Sequence, residues 1–171
     1  MHSLSTAKIA DALAKAIPEA NRDLCVVGAM LHDLGKLFTY RMQGISINMT
    51  DEGLLYEHSF MGAEFIGNFA EALMSDTEAG MNDIKLRLLR HIILSHHGKL
   101  EYGAAITPKC VEAMIVNAAD GLDASVEQVR AAAGKAPENA KWTQRIYSMG
   151  NSQFLTPDYV DAVIKAAPMP F

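Results

Sequence analysis

The chain has 171 residues, half of them hydrophobic, and a formal net charge of −5. This length suits one domain with a sizeable core. The acidic balance argues against a surface generally coated by nucleic acid, although it is compatible with a local basic groove. Ala, Leu and Met are frequent and only 7% of the residues are aromatic, which favours an all-α bundle.

Cysteine usage and hydropathy indicate the compartment. Cys25 and Cys110 are far apart and neither forms a CxxC pair, so we expect two free thiols in a reducing environment. No uninterrupted apolar run approaches the ~20 residues of a membrane span. The N-terminus also lacks a basic region followed by an apolar core. We therefore expect a soluble cytoplasmic protein without membrane contact.

Helical spacing of apolar residues predicts two helices before residue 32. The first is capped by Ser3 or Ser5, with His2 at its mouth, and Pro18 ends it. The second starts at Asn21 and is apolar nearly all round, as a buried helix is. The adjacent pair His32-Asp33 follows at its C-terminal end.

The pattern then changes from helical to alternating. Residues 38–49 alternate in hydrophobicity around the turn signal Gln43-Gly44 and predict a short β-hairpin. Residues 50–53 break the chain, and a third helix is predicted over 54–74 with His58 in its early turns. The polar segment 75–80 is predicted to be a loop. The buried stripe of the third helix is predicted to include Phe65, Phe69 and Leu73.

Two more helices carry the remaining histidines and an aspartate. The fourth is capped by Asn82 and ends near Gly98, and it carries His91, His96 and His97. The fifth starts at Thr107-Pro108, where Thr is the cap and Pro the first helical residue, and carries Asp120. Its apolar stripe is predicted to be Val111, Met114, Ile115, Ala118 and Leu122.

The C-terminal region continues the helical pattern. Residues 135–141 form a predicted loop, and residues 142–171 are predicted to hold two short helices that are broken near Gly150-Asn151. The second of them is capped by Thr156-Pro157. We find no repeat or low-complexity tract and predict a single domain over 1–171, with its core over about 2–130 and a helical extension over about 142–171.

The histidines and aspartates form an ordered series. An imidazole and a carboxylate side by side, as in His32-Asp33, are plausible ligands for a divalent metal, but this dipeptide alone is weak evidence. The order of the residues adds weight to it. The series runs His2, His32-Asp33, His58, His96-His97 and Asp120.

This series resembles the HD-domain superfamily of metal-dependent phosphohydrolases, with its pattern H…HD…H…H…D in an all-helical bundle. Matching neighbours include Leu31-His32-Asp33-Leu34-Gly35-Lys36 and Ala119-Asp120. The resemblance covers roughly residues 2 to 130. It implies that His2, His32, Asp33 and Asp120 surround a first metal, and that Asp33 bridges to a second metal completed by His58 and His96.

The chemistry of the residue types agrees with that implication. Two divalent ions about 3.5–4 Å apart can bind phosphate oxygens and share a hydroxide, and a carboxylate between them keeps both in place. Asp33 and Lys36 are the candidate catalytic residues, since Lys36 could offer a positive charge to phosphate oxygens. Mixed imidazole and carboxylate ligands fit one or two ions of Mn, Fe, Ni, Co or Zn.

His91 and His97 are possible additional ligands or substrate-side groups. Adjacent helical residues point about 100° apart, so His96 and His97 can face one ion only if the helix breaks there, and Gly98 could supply the break. His91 lies well round the helix and is either a supporting or a surface residue.

A narrower resemblance concerns the segment Ser95-His96-His97-Gly98-Lys99-Leu100-Glu101-Tyr102-Gly103. It is similar to the catalytic domain of YhaM-type 3′–5′ exoribonucleases, which makes Lys99 and Tyr102 candidate contacts to a phosphate and a base. That family also carries an N-terminal OB-type domain. We therefore expect either a stand-alone catalytic domain with smaller substrates or a longer protein from which upstream sequence is missing.

The leading hypothesis is a metal-dependent phosphohydrolase that cuts phosphodiester bonds of short nucleic acids or nucleotides with metal-activated water. A nucleotidase acting on free nucleotides is the second possibility, because the domain is small and acidic. A non-catalytic module that binds a nucleotide is the third, and an oxygenase that uses similar ligands is the most distant.

Overall fold

The computed structural model describes residues 1–74, the last four by backbone alone, and residues 81–167. The chain divides into two compact units, Met1–Gly121 and Leu122–Phe171. The predicted loop over 75–80 and the side chain of Leu73 lie outside the described residues. The predicted single domain stays a prediction.

Helices make up most of the described residues, together with one antiparallel hairpin, so the all-α class with a short hairpin is confirmed. In chain order the elements are α1 (His2–Ala16), α2 (Arg22–Leu31), α3 (Lys36–Thr39), β1 (Tyr40–Gln43), β2 (Ser46–Met49), α4 (Asp51–Met74), α5 (Asp83–Ser95), α6 (Val111–Ala133) and α7 (Pro157–Ala166).

Side-chain caps explain where two of these helices begin. The carboxamide oxygen of Asn21 accepts the N–H of Leu24 at 3.0 Å, and that of Asn82 accepts the N–H of Lys85 at 2.9 Å. Each bond satisfies an amide that has no partner within its own helix. Both predicted caps are therefore confirmed.

Two other predicted starts are wrong. Helix α1 already begins at His2, so neither Ser3 nor Ser5 is its cap. Helix α6 begins at Val111, after the non-helical segment that contains Thr107-Pro108. In both cases residues of the right type stand near a helix end, but the backbone becomes helical elsewhere.

Small residues bring the helices around the first core close together. Gly28 of α2 approaches α5 so closely that a Cβ there would lie 2.9 Å from Ile92 Cγ2. Only Ile115 of the predicted α6 stripe is buried, because the helix packs through a neighbouring face made of smaller residues. The buried residues of this core are Ala7, Ala10, Ala14, Cys25, Ala29, Ile92, Ala113, Ile115, Val116 and Ala119.

A second core lies between α4 and α5. Phe65 and Phe69 were predicted to be buried in it, and this is wrong, because 40% and 54% of their surfaces are exposed. The face of α4 that packs on α5 is lined mainly by smaller side chains. This core consists of Ala63, Ile66, Ala70, Leu86, Leu89 and Ile93.

The hairpin is paired in the register Tyr40 to Met49 and Gln43 to Ser46, with both strands exposed. It is followed directly by α4, since the hydroxyl of Thr50 accepts the N–H of Gly53 at 3.0 Å. Residues 50–53, predicted to break the chain, therefore start the helix instead.

The second unit ends in α7 with the predicted cap, in which Thr156 accepts the N–H of Tyr159 at 3.4 Å. The predicted helix after residue 142 is wrong. The chain there forms antiparallel bridges between Trp142 and Leu155 and between Ile146 and Ser152, joined through a 3₁₀ turn. Buried Thr143 holds this loop closed by accepting the N–H of Phe154 at 3.1 Å.

Within the described ranges, none of the helices is long and apolar enough to cross a membrane. Both cysteines are free thiols, as predicted.

Cys25 should resist thiol reagents in the folded protein. It is fully buried, and burial raises its pKa to about 11, so it stays protonated up to about pH 10. We expect an aromatic disulfide reagent to modify half-buried Cys110 first and Cys25 only after unfolding. Cys110→Ser should abolish the fast phase of modification. Equal rates of modification at Cys25 and Cys110 in the folded protein would contradict the burial of Cys25.

Candidate metal centre

Six predicted ligands from separate parts of the chain converge within the first unit. Together with His97, they form three overlapping groups, each with ligand atoms that all lie within 4.8 Å of one another. Helix ends supply several of them, since helices that meet at an angle converge where they start or stop. These residues are His2 at the start of α1, His32 and Asp33 after α2, His58 in α4, His96 after α5 and Asp120 in α6.

Asp33 lies between two sets of imidazoles. Its Oδ2 atom is 3.5 Å from His32 Nε2 and 3.8 Å from His2 Nε2. Its Oδ1 atom is 3.3 Å from His58 Nε2 and 3.9 Å from His96 Nε2. Each carboxylate oxygen thus faces a different pair of nitrogens, which is the arrangement of a bridging ligand.

Asp120 closes the side of the cluster that holds His2 and His32. Its Oδ1 atom is 3.0 Å from His2 Nε2 and 3.6 Å from His32 Nε2. The second distance is too long for a hydrogen bond. His32 Nε2 is fully buried and has no hydrogen-bond partner among the described residues.

Hydrogen bonds to the other ring nitrogens fix which tautomer each imidazole adopts. His32 Nδ1 donates to the Ala29 carbonyl at 2.7 Å, and His96 Nδ1 donates to the Ile93 carbonyl at 2.6 Å. Because a carbonyl only accepts, the proton of the neutral ring is on Nδ1 and the lone pair is on Nε2. Both lone pairs point into the cluster, as metal-binding imidazoles require.

His58 and His96 show most directly that the cluster fits a cation. His58 Nδ1 donates to the Glu57 carboxylate at 2.6 Å, so its Nε2 also carries a lone pair. The two Nε2 atoms are 3.3 Å apart. Two lone pairs cannot bond to each other, and a divalent ion coordinated by both would satisfy them. The residues present therefore fit a metal site.

The carboxylates remain charged despite being partly buried. Burial raises the pKa of Asp120, but the close approach of the His32 ring outweighs it, with smaller contributions from His96 and His2, and the pKa falls to about 2. Burial also opposes ionisation of Asp33, yet the bond from Lys36 and the charge of His32 lower its pKa. Two adjacent anions strongly favour a cation between them.

The imidazoles respond to burial in different ways. Burial lowers the pKa of His96 to about 4 and also lowers the pKa of His58, so both rings are neutral ligands at neutral pH. Burial likewise opposes the charging of His32, but Asp120 and Asp33 outweigh it and raise its pKa. The His32 side of the cluster thus attracts positive charge, which a metal ion would supply.

Glu57 positions His58 through a backbone break that the sequence does not reveal. Its φ of 66° and ψ of 157° interrupt α4. The Glu57 carboxylate accepts the backbone N–H of Ser59 at 3.2 Å as well as the His58 ring proton. Nothing in the local sequence marks a break, since glutamate is an ordinary helix residue.

Gly35 allows the segment after Asp33 to pass against α4. A Cβ at this position would lie 1.8 Å from the His58 carbonyl oxygen and 2.7 Å from Gly62 N. Only glycine therefore fits where the segment after Asp33 packs against the backbone of α4. The glycine after His-Asp-Leu was a visible signal, although its structural role was not predicted.

The α5 helix ends before the two adjacent histidines, which resolves how both can face the cluster. Gly98 has a φ of +77° and turns the chain, while Asn117 Nδ2 donates to the His96 carbonyl at 2.7 Å. The His97 ring lies 5.0 Å from that of His58, and its buried Nδ1 lacks a hydrogen-bond partner in the described part of the chain. His97 thus lines the cluster, supported by Asn117, a residue that the sequence did not indicate.

The remaining candidates lie outside the ligand cluster. Lys36 Nζ donates to Asp33 Oδ2 at 2.7 Å from a half-exposed position. His91 Nε2 accepts the N–H of Lys109 at 2.9 Å, which occupies the lone pair that a metal would need. Lys99 and Tyr102 are exposed on the 3₁₀ turn that follows, with the ammonium 5.3 Å from the ring centroid.

Gly35→Ala should disrupt the centre. The new methyl group would overlap the His58 carbonyl, so we expect a loss of stability of a few kcal/mol, on the order of that caused by an overpacked core, and weaker metal binding. Gly67→Ala is the matched control, since a Cβ there meets only the Arg90 guanidinium at 3.4 Å. Thermal melts with and without Mn²⁺ measure both effects. Equal melting temperatures of the two variants, with and without Mn²⁺, would refute the close approach of Gly35 to α4.

Substitutions of ligands on either side of Asp33 should each remove part of the bound metal. We expect Asp33→Asn to reduce about two bound ions to below one, and His32→Gln and His58→Gln each to remove about one. His91→Gln, on the same helix that precedes His96, should keep the full content. Elemental analysis after gel filtration gives the count. Full content in Asp33→Asn would contradict a bridging carboxylate.

Comparison with known proteins identifies the family. A family profile described as the HD domain matches residues 1–125. Two structures of the HD domain of the L. monocytogenes phosphodiesterase PgpH, one in complex with cyclic-di-AMP, share 22% identity over 96% of this chain and 76% of theirs, at a TM-score of 0.48. The family and the donor set support a metal-dependent phosphohydrolase in general. The chain belongs to the HD-domain family.

Proposed function

We propose that this protein hydrolyses phosphodiester bonds of nucleotides or short nucleic acids. The observation that carries the proposal is the Asp33 carboxylate, whose two oxygens face two separate pairs of imidazole Nε2 atoms. In hydrolytic sites, bridging carboxylates of this kind hold two metal ions, which activate water and bind phosphate oxygens. The nuclease assignment, the similarity to YhaM-type enzymes and the cytoplasmic location belong to the same proposal.

The ligands divide into two groups, each of which would hold one ion. His2 and His32 face Asp33 Oδ2 and, together with Asp120, would hold a first ion. His58 and His96 face Asp33 Oδ1 and would hold a second. Bound divalent ions supply Lewis acidity and a water of lowered pKa. The neutral imidazoles add no charge, so two carboxylates leave the loaded site net positive and attractive to phosphate.

Lys36 is placed to bind the phosphate. Its ammonium donates to Asp33 Oδ2 and is partly open to solvent, so it can also contact a phosphate oxygen beside that carboxylate. A cation fixed where negative charge develops stabilises the transition state more than the ground state. His97 lines the same cluster and is either an additional ligand or a substrate contact.

Two observations favour different substrates. The exposed Lys99 and Tyr102 pair after His97 suits a nucleic-acid strand, since the ammonium can bind the backbone and the ring can stack on a base. The net charge of −5 favours free nucleotides, because a long strand would be repelled. A nucleotidase is therefore the second candidate function, and a nucleotide-binding module without catalysis is the third.

A substrate panel with matched variants tests the proposal. Protein loaded with Mn²⁺ should hydrolyse bis(p-nitrophenyl) phosphate and short oligonucleotides. Asp33→Asn should abolish the activity, and Lys36→Gln should lower kcat roughly 10²- to 10³-fold while metal content is retained. Asp83→Asn, at the exposed far end of α5, should change neither value.

The outcomes separate the candidates. Phosphate release from mononucleotides alone would favour the nucleotidase. Binding of nucleotides without hydrolysis of any substrate, together with an Asp33→Asn variant that loses only stability, would refute catalysis.

A further inference from the structure

A small pocket on the surface of the first unit has an unusual lining. It measures about 130 Å³ and is lined by Phe38, Met61, Glu64, Phe65 and Asn68. The rings of Phe38 and Phe65 are 5.0 Å apart between centroids, and 36% and 40% of these residues remain exposed. The core beside α4 is built from other residues, so the exposed ring pair is available to a ligand.

Each wall of the pocket is close in sequence to a residue that lies in or beside the candidate metal centre. On α4, Met61, Phe65 and Asn68 follow His58 at spacings of three, seven and ten residues, which places them on one helix face. Phe65 is therefore about 10 Å along the helix axis from His58. On the other wall, Phe38 follows Lys36 by two residues in the single turn of α3.

The lining combines a stacking surface with hydrogen-bonding groups. A cavity of about 150 Å³ accepts one benzene molecule, so an aromatic ring system fits partly inside a pocket of this size that opens to solvent. The Phe38 and Phe65 rings offer faces and edges to such a ring. The Asn68 amide can both donate and accept, and the Glu64 carboxylate accepts, which matches the amino group and ring nitrogens of adenine.

We propose that this pocket binds the nucleobase of the substrate, with a preference for adenine, while the phosphate lies at the metal centre. The inference rests on the proposed function, because it takes the phosphate position from the ligand cluster. The distance along α4 is comparable with the span of a sugar that joins base and phosphate. The pocket thus defines the substrate class as nucleotides recognised by their base.

Calorimetry on the metal-loaded protein tests the proposal. The probes are adenosine 5′-thiophosphate, which resists hydrolysis, uridine 5′-thiophosphate, and ribose 5-phosphate, which has no base. The adenosine probe should bind more tightly than the other two. Phe65→Ala should weaken it roughly 5- to 150-fold, the equivalent of 1–3 kcal/mol for one stacked base, and leave ribose 5-phosphate unchanged.

Matched variants make the result specific. Phe60→Ala removes a phenylalanine of α4 with similar exposure, 46%, that pairs with Tyr56 outside the pocket, and it should change neither affinity. Phe65→Leu keeps an apolar side chain if the alanine variant is unstable, and it should also weaken adenosine binding. Glu64→Gln with Asn68→Ala should reduce the preference for adenine over uracil.

Three results would overturn the proposal. They are equal affinity for the adenosine probe and ribose 5-phosphate, equal effects of Phe65→Ala and Phe60→Ala, and a change in oligomeric state in Phe65→Ala with unchanged nucleotide binding. The last would assign the ring pair to a second copy of the chain. Hydrolysis of bis(p-nitrophenyl) phosphate is measured separately: its absence with intact base recognition would refute the proposed catalysis and leave the pocket standing.

Discussion

The arrangement around Asp33 depends on one electrostatic constraint, which is that two carboxylates and several imidazole nitrogens crowd together in a partly buried space. The Nδ1–H groups of His32, His58 and His96 are all engaged outside the cluster, so their Nε2 atoms face inward unprotonated. Asp120 adds negative charge on one side. Divalent cations on the two sides of Asp33 would satisfy these groups, and the surrounding backbone is shaped to keep them in place.

Residues that encode ligand chemistry and local caps could be predicted from the sequence. The ligand chemistry of the histidines and aspartates lies in their side chains. The structure brings six of these predicted ligands together, which are His2, His32, Asp33, His58, His96 and Asp120. Asn21 and Asn82 were predictable as caps because the bond each makes spans only three residues. Interactions over such short spans depend little on the rest of the fold.

Features set by tertiary packing were not predictable in the same way. The backbone break at Glu57 and the tight fit of Gly35 arise where two distant segments meet, and neither has a local signature. Phe65 looked like a core residue because it is large and apolar at helical spacing. Alanines such as Ala63 fill that core instead, because small side chains let α4 approach α5 closely, and this leaves the phenylalanine at the surface of α4.

Asp33 is inferred to lie between two cation sites. Anomalous X-ray diffraction from crystals grown with Mn²⁺ tests it most directly, because it locates ions without any assay of function. We expect two peaks about 3.5–4 Å apart. One Asp33 oxygen should lie at the first peak with His2, His32 and Asp120, and the other oxygen should lie at the second with His58 and His96. Peaks away from Asp33, or Asp33 without a bound ion at saturating Mn²⁺, would contradict it.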